Sequence, residues 1–245
     1  MDSEECYRLI RIFDGLPREC VRPVLCDAQT RQAPAGEVLC RENAPARKVH
    51  ILISGFAKGI RTRSGTRLII RYLTSGETLD PSAFIKGSAY PADVVAVTSC
   101  TELQWPAQIF RDLAARHPQV AFNMIRELEG SRRELENRLG VLSSEPVEQR
   151  IAHGLLRLIE KVGVRVGDGI EVPFPLSRQD LAEMTGTTLY TVSRTLGYWE
   201  AHGEIRRGRQ RVVVSNLEFL KAMSGGAEAL EAQPRRTHRR AGPTT

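Results

Sequence analysis

PLSRQDLAEMTGTTLYTVSRTLGYWEAHGEIRRGRQRVVV, residues 175–214, is the stretch that decides how the chain is organised. Ser177 is a good helix N-cap, and Asp180 three residues on favours the same start electrostatically. Leu181, Ala182 and Met184 give this first helix one apolar side. Thr185-Gly186-Thr187 is a short turn with glycine at its centre, as two steeply crossed helices require. Thr188 then caps a second helix through about Ala201, with Leu189, Val192, Leu196 and Trp199 as its inner face. After Gly203, residues 205–214 read as two strands around Gly208, with Arg206, Arg207, Arg209 and Arg211 along them. The expected product is a helix-turn-helix with a basic wing.

The outer side of the second helix carries the chemistry. Tyr190, Thr191, Ser193 and Arg194 point away from the apolar set, and residues 188–199 contain no acid. A carboxylate there would be repelled by phosphates unless it read a cytosine edge. Arg194 can chelate guanine O6 and N7, a pair worth about 1–3 kcal/mol of discrimination. Ser193 and Tyr190 can meet adjacent base edges. Arg178, Gln179, Thr188 and Thr191 suit phosphates, partly through helix N-termini. A net charge of +6 over 245 residues agrees with an anionic partner.

Upstream the texture differs. Two short helices are expected at residues 4–13 and 18–28, separated by Gly15-Leu16-Pro17. Short β-rich runs follow at residues 37–39, 49–53, 56–61, 67–73, 93–97 and 103–105, punctuated by Ala35-Gly36, Ser54-Gly55, Ser64-Gly65 and Ser75-Gly76. Evenly spaced short strands indicate a sandwich or barrel.

A long helix then starts at His117-Pro118, proline being tolerated at a helix start. Met124, Leu128, Leu135, Leu139 and Leu142 form a narrow apolar stripe, and Arg126, Glu127, Glu129, Arg132, Arg133, Glu134, Glu136 and Arg138 occupy the polar face. That pattern suits a coiled-coil dimer seam. Residues 147–162 read as another helix, and 163–169 as a turn. The division is a sensor domain at 1–116, a dimerisation helix at 117–143, a winged helix-turn-helix at 147–223 and a disordered basic tail at 224–245 carrying Arg235, Arg236, Arg239 and Arg240.

No apolar run approaches the roughly 18 residues that span a bilayer, so no membrane partner is expected. The start lacks the basic and apolar regions of a signal peptide, which places the protein in the cytoplasm. The five cysteines, Cys6, Cys20, Cys26, Cys40 and Cys100, have no close pairing and are expected to be reduced.

The 175–214 stretch closely resembles the winged helix-turn-helix of the CRP/FNR family of transcriptional regulators. The likeness extends upstream. Gly36-Glu37-Val38-Leu39, Ile51, Gly55, Gly65, Ile70 and Gly76-Glu77 are similar to that family's cyclic-nucleotide-binding-type jelly roll, and the helix after His117 to its dimer helix. The resemblance spans residues 10–223 and implies an α+β fold of jelly roll, long helix and winged helix-turn-helix. It implies a homodimeric regulator, not an enzyme, that binds an inverted repeat in double-stranded DNA and works with RNA polymerase. Half-sites would lie about one turn, ~34 Å, apart. Leu189, Tyr190, Ser193 and Arg194 match the family's base-reading positions. Ser177, Arg178, Gln179, Thr188 and Thr191 match its backbone contacts, with Arg209 and Arg211 of the wing added to them. Tyr190 stands where many members carry Glu, so the half-site is expected to depart from the TGTGA or TTGAT core.

The effector is left open. Cyclic-nucleotide binders of the family place a Glu on the ribose and an Arg on the phosphate within one cassette. Here Pro81 and Pro91 fall near those positions, and no arginine occurs between Tyr72 and Trp105. An unneutralised buried phosphate is costly, so cyclic AMP is not the expected ligand. An iron–sulfur cluster needs convergent thiolates that the dispersed cysteines do not offer. The pieces AYPA (residues 89–92) and TGTTLYTVSR look similar to the nitric-oxide-responsive branch, some of whose members use haem, with His50 and His117 the candidate axial ligands. Two other classes compete with a regulator. One is a cupin-like metal-dependent jelly-roll enzyme, which needs clustered His and carboxylate ligands. The other is a nucleotide-binding signalling module whose helices bind protein.

Overall fold

The computed structural model describes residues 3–225 apart from Arg209. The wing residue Arg209 and the tail from residue 226 on therefore lie outside the described residues.

The chain opens with α1 (Ser3–Leu9), a single 3-10 turn at Arg11–Phe13 and α2 (Arg18–Cys26). The single helix expected at 4–13 is thus broken at Ile10, which is extended. The break follows from a close approach. A Cβ on Gly76 would stand 2.3 Å from the Leu9 carbonyl oxygen, and Gly76 itself has φ +85°. Glycine meets both demands.

Seven strands form the barrel: β1 (Gln29–Ala33), β2 (Val38–Cys40), β3 (Lys48–Ser54), β4 (Ala57–Arg63), β5 (Thr66–Leu73), β6 (Asp93–Ala96) and β7 (Cys100–Pro106). They make two antiparallel sheets, ordered β1-β7-β3 and β2-β6-β4-β5, the layout of a jelly roll. Strand β1, QTRQA, was not expected, because it has no apolar alternation. It is held by full register on β7, Gln29 opposite Gln104 through Ala33 opposite Cys100.

The helix α3 (Ala107–Arg116) covers one sheet face. Trp105 is fully buried there, donates from Nε1 to the Val24 carbonyl at 2.6 Å and meets Phe110 edge-on at 5.3 Å.

The long helix α4 (Pro118–Ser144) matches expectation in length and start. Two assignments on it are corrected. Met124 is buried in the barrel core with Val120, not on the expected seam, because the first turns of α4 lie on the barrel. Arg138 is not on the exposed polar face; it is buried and donates to the Met184 carbonyl.

Helix α5 (Val147–Val162) leads into β8 (Val164–Val166) and β9 (Gly169–Glu171). The expected turn at 163–169 is therefore a hairpin, closed by Gly167 at φ +61°. It extends the wing, β10 (Ile205–Gly208) and β11 (Arg211–Val214), into a sheet ordered β10-β11-β9-β8. Helices α6 (Arg178–Thr185), α7 (Leu189–Ala201) and α8 (Leu217–Met223) complete the domain.

The two lobes share a core. Ile60, Ile69 and Tyr72 of the barrel cluster with Leu155, Leu181, Leu196 and Trp199. Phe174 packs on Phe56 and Tyr72 at ring-centre distances of 4.9 and 5.0 Å. Among the described residues, no helix is long and apolar enough to cross a membrane.

Candidate nucleic-acid interface

The interface starts from helix capping. The Asp180 amide donates to Ser177 Oγ at 3.0 Å, and the Ser177 amide donates back to Asp180 Oδ2 at 3.0 Å. This reciprocal box fixes where α6 begins. Lys58 on β4 pairs with the other carboxylate oxygen. Burial pushes the Asp180 carboxyl up, but the Lys58 and Ser177 donors outweigh it and hold it below the ordinary carboxylate range.

At the other end, Gly186 takes a left-handed conformation at φ +61° and its amide closes on the Ala182 carbonyl. A Cβ there would meet Leu142 Cδ2 at 3.2 Å. Leu142 of the expected dimer stripe thus packs over the helix-turn-helix turn. Arg138 caps the same helix end through the Met184 carbonyl; burial and the neighbouring Arg157 push its guanidinium down to about 10.

Thr188 accepts from the Thr191 amide at 3.1 Å and sets the start of α7. Val192, Leu196 and Trp199 are buried as its inner face. Leu189 is not part of that face: it is 48% exposed, because it stands at the first helical position beside the wing. It lines a cleft of about 410 Å³ between α6, α7 and the wing, with Leu176 and Val212 inside and Arg178 and Arg211 at its edge.

Tyr190 is 74% exposed and Arg194 is exposed on the same side. Arg178 Nη1 donates to Ser193 Oγ at 3.3 Å, so one residue expected on phosphate touches one expected on a base. Gln179 is exposed beside Arg178. The Ser177 hydroxyl is engaged within the cap, donating to Asp180 at 2.7 Å. Arg211 is bound by Glu171, with Nη2 to Oε2 at 2.9 Å, a pairing that the sequence spacing did not reveal.

One exposed aromatic was missed. Tyr198 is exposed, meets the His202 ring at a tilt with centres 4.1 Å apart, and follows Tyr190 and Arg194 at steps of four. That repeat was the available signal.

The barrel holds a buried polar network. Glu102 accepts from Arg31 at 2.8 Å and Gln104 at 2.7 Å, and meets His50 Nδ1 at 3.1 Å. Burial pushes the Glu102 carboxyl up, yet His50, Gln104 and Arg31 together hold it below the usual range. The His50 ring also meets Tyr90 edge-on at 6.0 Å, and with Nδ1 on Glu102 it is Nε2 that a role as axial ligand would use. His117 caps α4.

In the cassette, Pro81 is buried at the start of a 3-10 turn, while Lys86 and Pro91 are exposed. Cys6, Cys40 and Cys100 are buried and Cys26 is exposed. Among the described residues, no group of three or more His, Cys, Asp or Glu is placed to hold a metal ion.

Comparison with known proteins bears on both lobes. A model of the cyclic nucleotide-binding domain matches residues 30–117, and a model of the Crp-like helix-turn-helix domain matches residues 149–223. The chain is 27% identical over 216 residues to the cyclic AMP receptor protein of Thermus thermophilus, covering 88% of this chain and 97% of that one. It is 23% identical over 210 residues to the CRP-like cAMP-activated global transcriptional regulator of Mycobacterium tuberculosis, covering 85% and 94%. The structure of FixK2 from Bradyrhizobium japonicum superposes with a TM-score of 0.71 at 22% identity, over 80% of this chain and 96% of that one, and supports the fold. With both domain models in chain order and relatives matched over nearly their whole length, the chain belongs to the CRP/FNR family of DNA-binding transcriptional regulators.

Proposed function

We propose that the protein is a homodimeric, effector-gated regulator that reads an inverted repeat, with α7 of each protomer in a major groove and RNA polymerase as the partner at the promoter. One observation carries the reading: Tyr190, Ser193 and Arg194 stand together on the outer side of an acid-free helix start capped by Thr188. Arg194 reads guanine. Tyr190 and Leu189 contact neighbouring base edges, Leu189 suiting a thymine methyl. Arg178, Gln179, Thr188 and Thr191 bind phosphates.

The effector in this reading is not cyclic AMP. The AYPA and TGTTLYTVSR pieces favour nitric oxide or a redox signal, and absorbance spectra of anaerobically purified protein with and without nitric oxide test that.

For the DNA reading, sites are selected from genomic fragments and affinity is measured by fluorescence anisotropy. Arg194→Ala is expected to lose about 1–3 kcal/mol of discrimination against a changed guanine. A variant that keeps the parent's affinity and its ranking of mutated sites overturns the assignment.

A further inference from the structure

A cleft of about 440 Å³ lies where the N-terminal segment, β5, the start of the cassette at Glu77, α4 and α5 meet. Its charges are nearly all matched. Glu77 takes Lys161 at 3.0 Å and Arg11 at 3.4 Å, and Asp14 takes Arg126 at 3.2 Å. Glu134 pairs with Arg157 at 2.6 Å.

Two lining side chains stand apart from these pairs. Arg71 donates to neutral oxygens, the Leu79 carbonyl and Ser131 Oγ, the latter at 3.2 Å. Glu127 has no hydrogen-bond or ion-pair partner among the described residues. Burial pushes its carboxyl up, against the pull of Arg11, Arg71 and Lys161. Those cations act on it from a distance, and a half-buried carboxylate is costly to leave without a donor in hydrogen-bond contact.

Gly130 forms part of the wall in the interior of α4. A Cβ there would meet nothing within 4 Å, so contacts within the chain do not demand glycine. Glycine in a helix interior costs about 1 kcal/mol relative to alanine, and here it keeps the cleft open.

We propose that this cleft binds a small zwitterion of the α-amino-acid class, its carboxylate on Arg71 and Ser131 and its ammonium on Glu127. Each residue supplies the partner that the opposite end of the ligand lacks, and a simple anion would leave Glu127 unmatched. Because the walls come from the barrel, the long helix and α5 of the DNA-binding domain, an occupant contacts both lobes at once. Its consequence as an effector rests on the regulator reading; the binding does not.

Calorimetry of the full chain with the common α-amino acids tests the binding, with acetate, the matching 2-oxo acids and inorganic phosphate alongside. At least one amino acid is expected to bind below about 1 mM. Glu127→Gln is expected to weaken it by about tenfold or more, roughly 1.4 kcal/mol. Gly130→Gln is expected to abolish binding while leaving the melting temperature level or higher, since it fills open space and favours the helix.

Absence of binding up to about 10 mM overturns the proposal. So does tighter binding of an anion that lacks the ammonium, or binding that both variants leave unchanged. Operator affinity with and without the amino acid is a separate readout: no change there overturns the gating while the site stands.

Discussion

Lys58 on β4 of the barrel is ion-paired to Asp180, the third residue of α6, across the junction of the two lobes. The carboxylate that caps the first helix of the DNA-binding domain therefore also anchors that domain to the barrel. Both side chains are largely buried, so the pair is stronger than an exposed one. Lys58→Met is expected to destabilise the protein by about 1.5–3 kcal/mol, the range for hydrogen bonds to charged groups. Asp180 titrates below its ordinary range in the folded chain, so this stabilisation is complete above the unfolded carboxylate pKa and is lost as pH falls through the folded one. Thermal melts should show a gap between parent and variant that is constant from about pH 8 to 5 and closes only below about pH 4. A gap that stayed open in acid would assign the effect to packing instead.

Arg178 and Arg194 are expected to fail differently. Arg178 stands at the start of α6 and donates to Ser193, and in the proposed reading it serves a phosphate while Arg194 serves a base. Arg178→Ala should weaken binding to all sequences alike and lower the salt dependence of log K by about one unit, whereas Arg194→Ala should leave that slope and change site preference. Titrations at several salt concentrations on selected and scrambled duplexes separate the two. Equal loss of specificity in both variants would merge their roles.

The sequence made some of this legible and hid the rest for identifiable reasons. Ser177, Gly186 and Thr188 act within a few residues of themselves, so their caps and turn could be read from local spacing. The apolar stripe of α7 was legible except at Leu189, which lines an open cleft beside the wing and stays half-exposed. Lys58, Arg138 and Phe174 could not be found this way, because their partners Asp180, Met184 and Tyr72 lie far away along the chain, 122 residues for Lys58 and 46 for Arg138. Strand β1 carries no pattern of its own, and Met124 obeys the same helical period as the seam, so only the barrel decides which face it joins.

Cyclic AMP should not bind. A cyclic phosphate in the barrel needs a cation close by, and the cassette offers only Lys86, which is exposed on a turn. Calorimetry should register no binding of cyclic AMP or cyclic GMP up to about 1 mM. The relatives named for cyclic AMP make this a sharp test, since micromolar affinity would show that another residue neutralises the phosphate.

The long helix argues for a second copy of the chain. Beyond Met124 its outer side presents Ile125, Leu128, Leu135 and Leu139, exposed to 59, 36, 44 and 66%. Their steps of three, seven and four follow a heptad seam, with Ile125 taking the place that Met124 vacates. Burying one such side chain is worth about 1.5–3 kcal/mol, so the stripe on two helices suffices for a stable pair. Leu139→Glu sets two like charges against each other in that seam. It is expected to shift sedimentation from dimer to monomer at about 10 μM while circular dichroism stays at the parent's helix content. Affinity for the full inverted repeat should collapse, and affinity for a single half-site should persist, because α7 lies on the other lobe and keeps its caps. Leu139→Ala removes apolar area without adding charge and should weaken the dimer less. A Leu139→Glu protein that sediments like the parent would place the dimer contact elsewhere on the molecule.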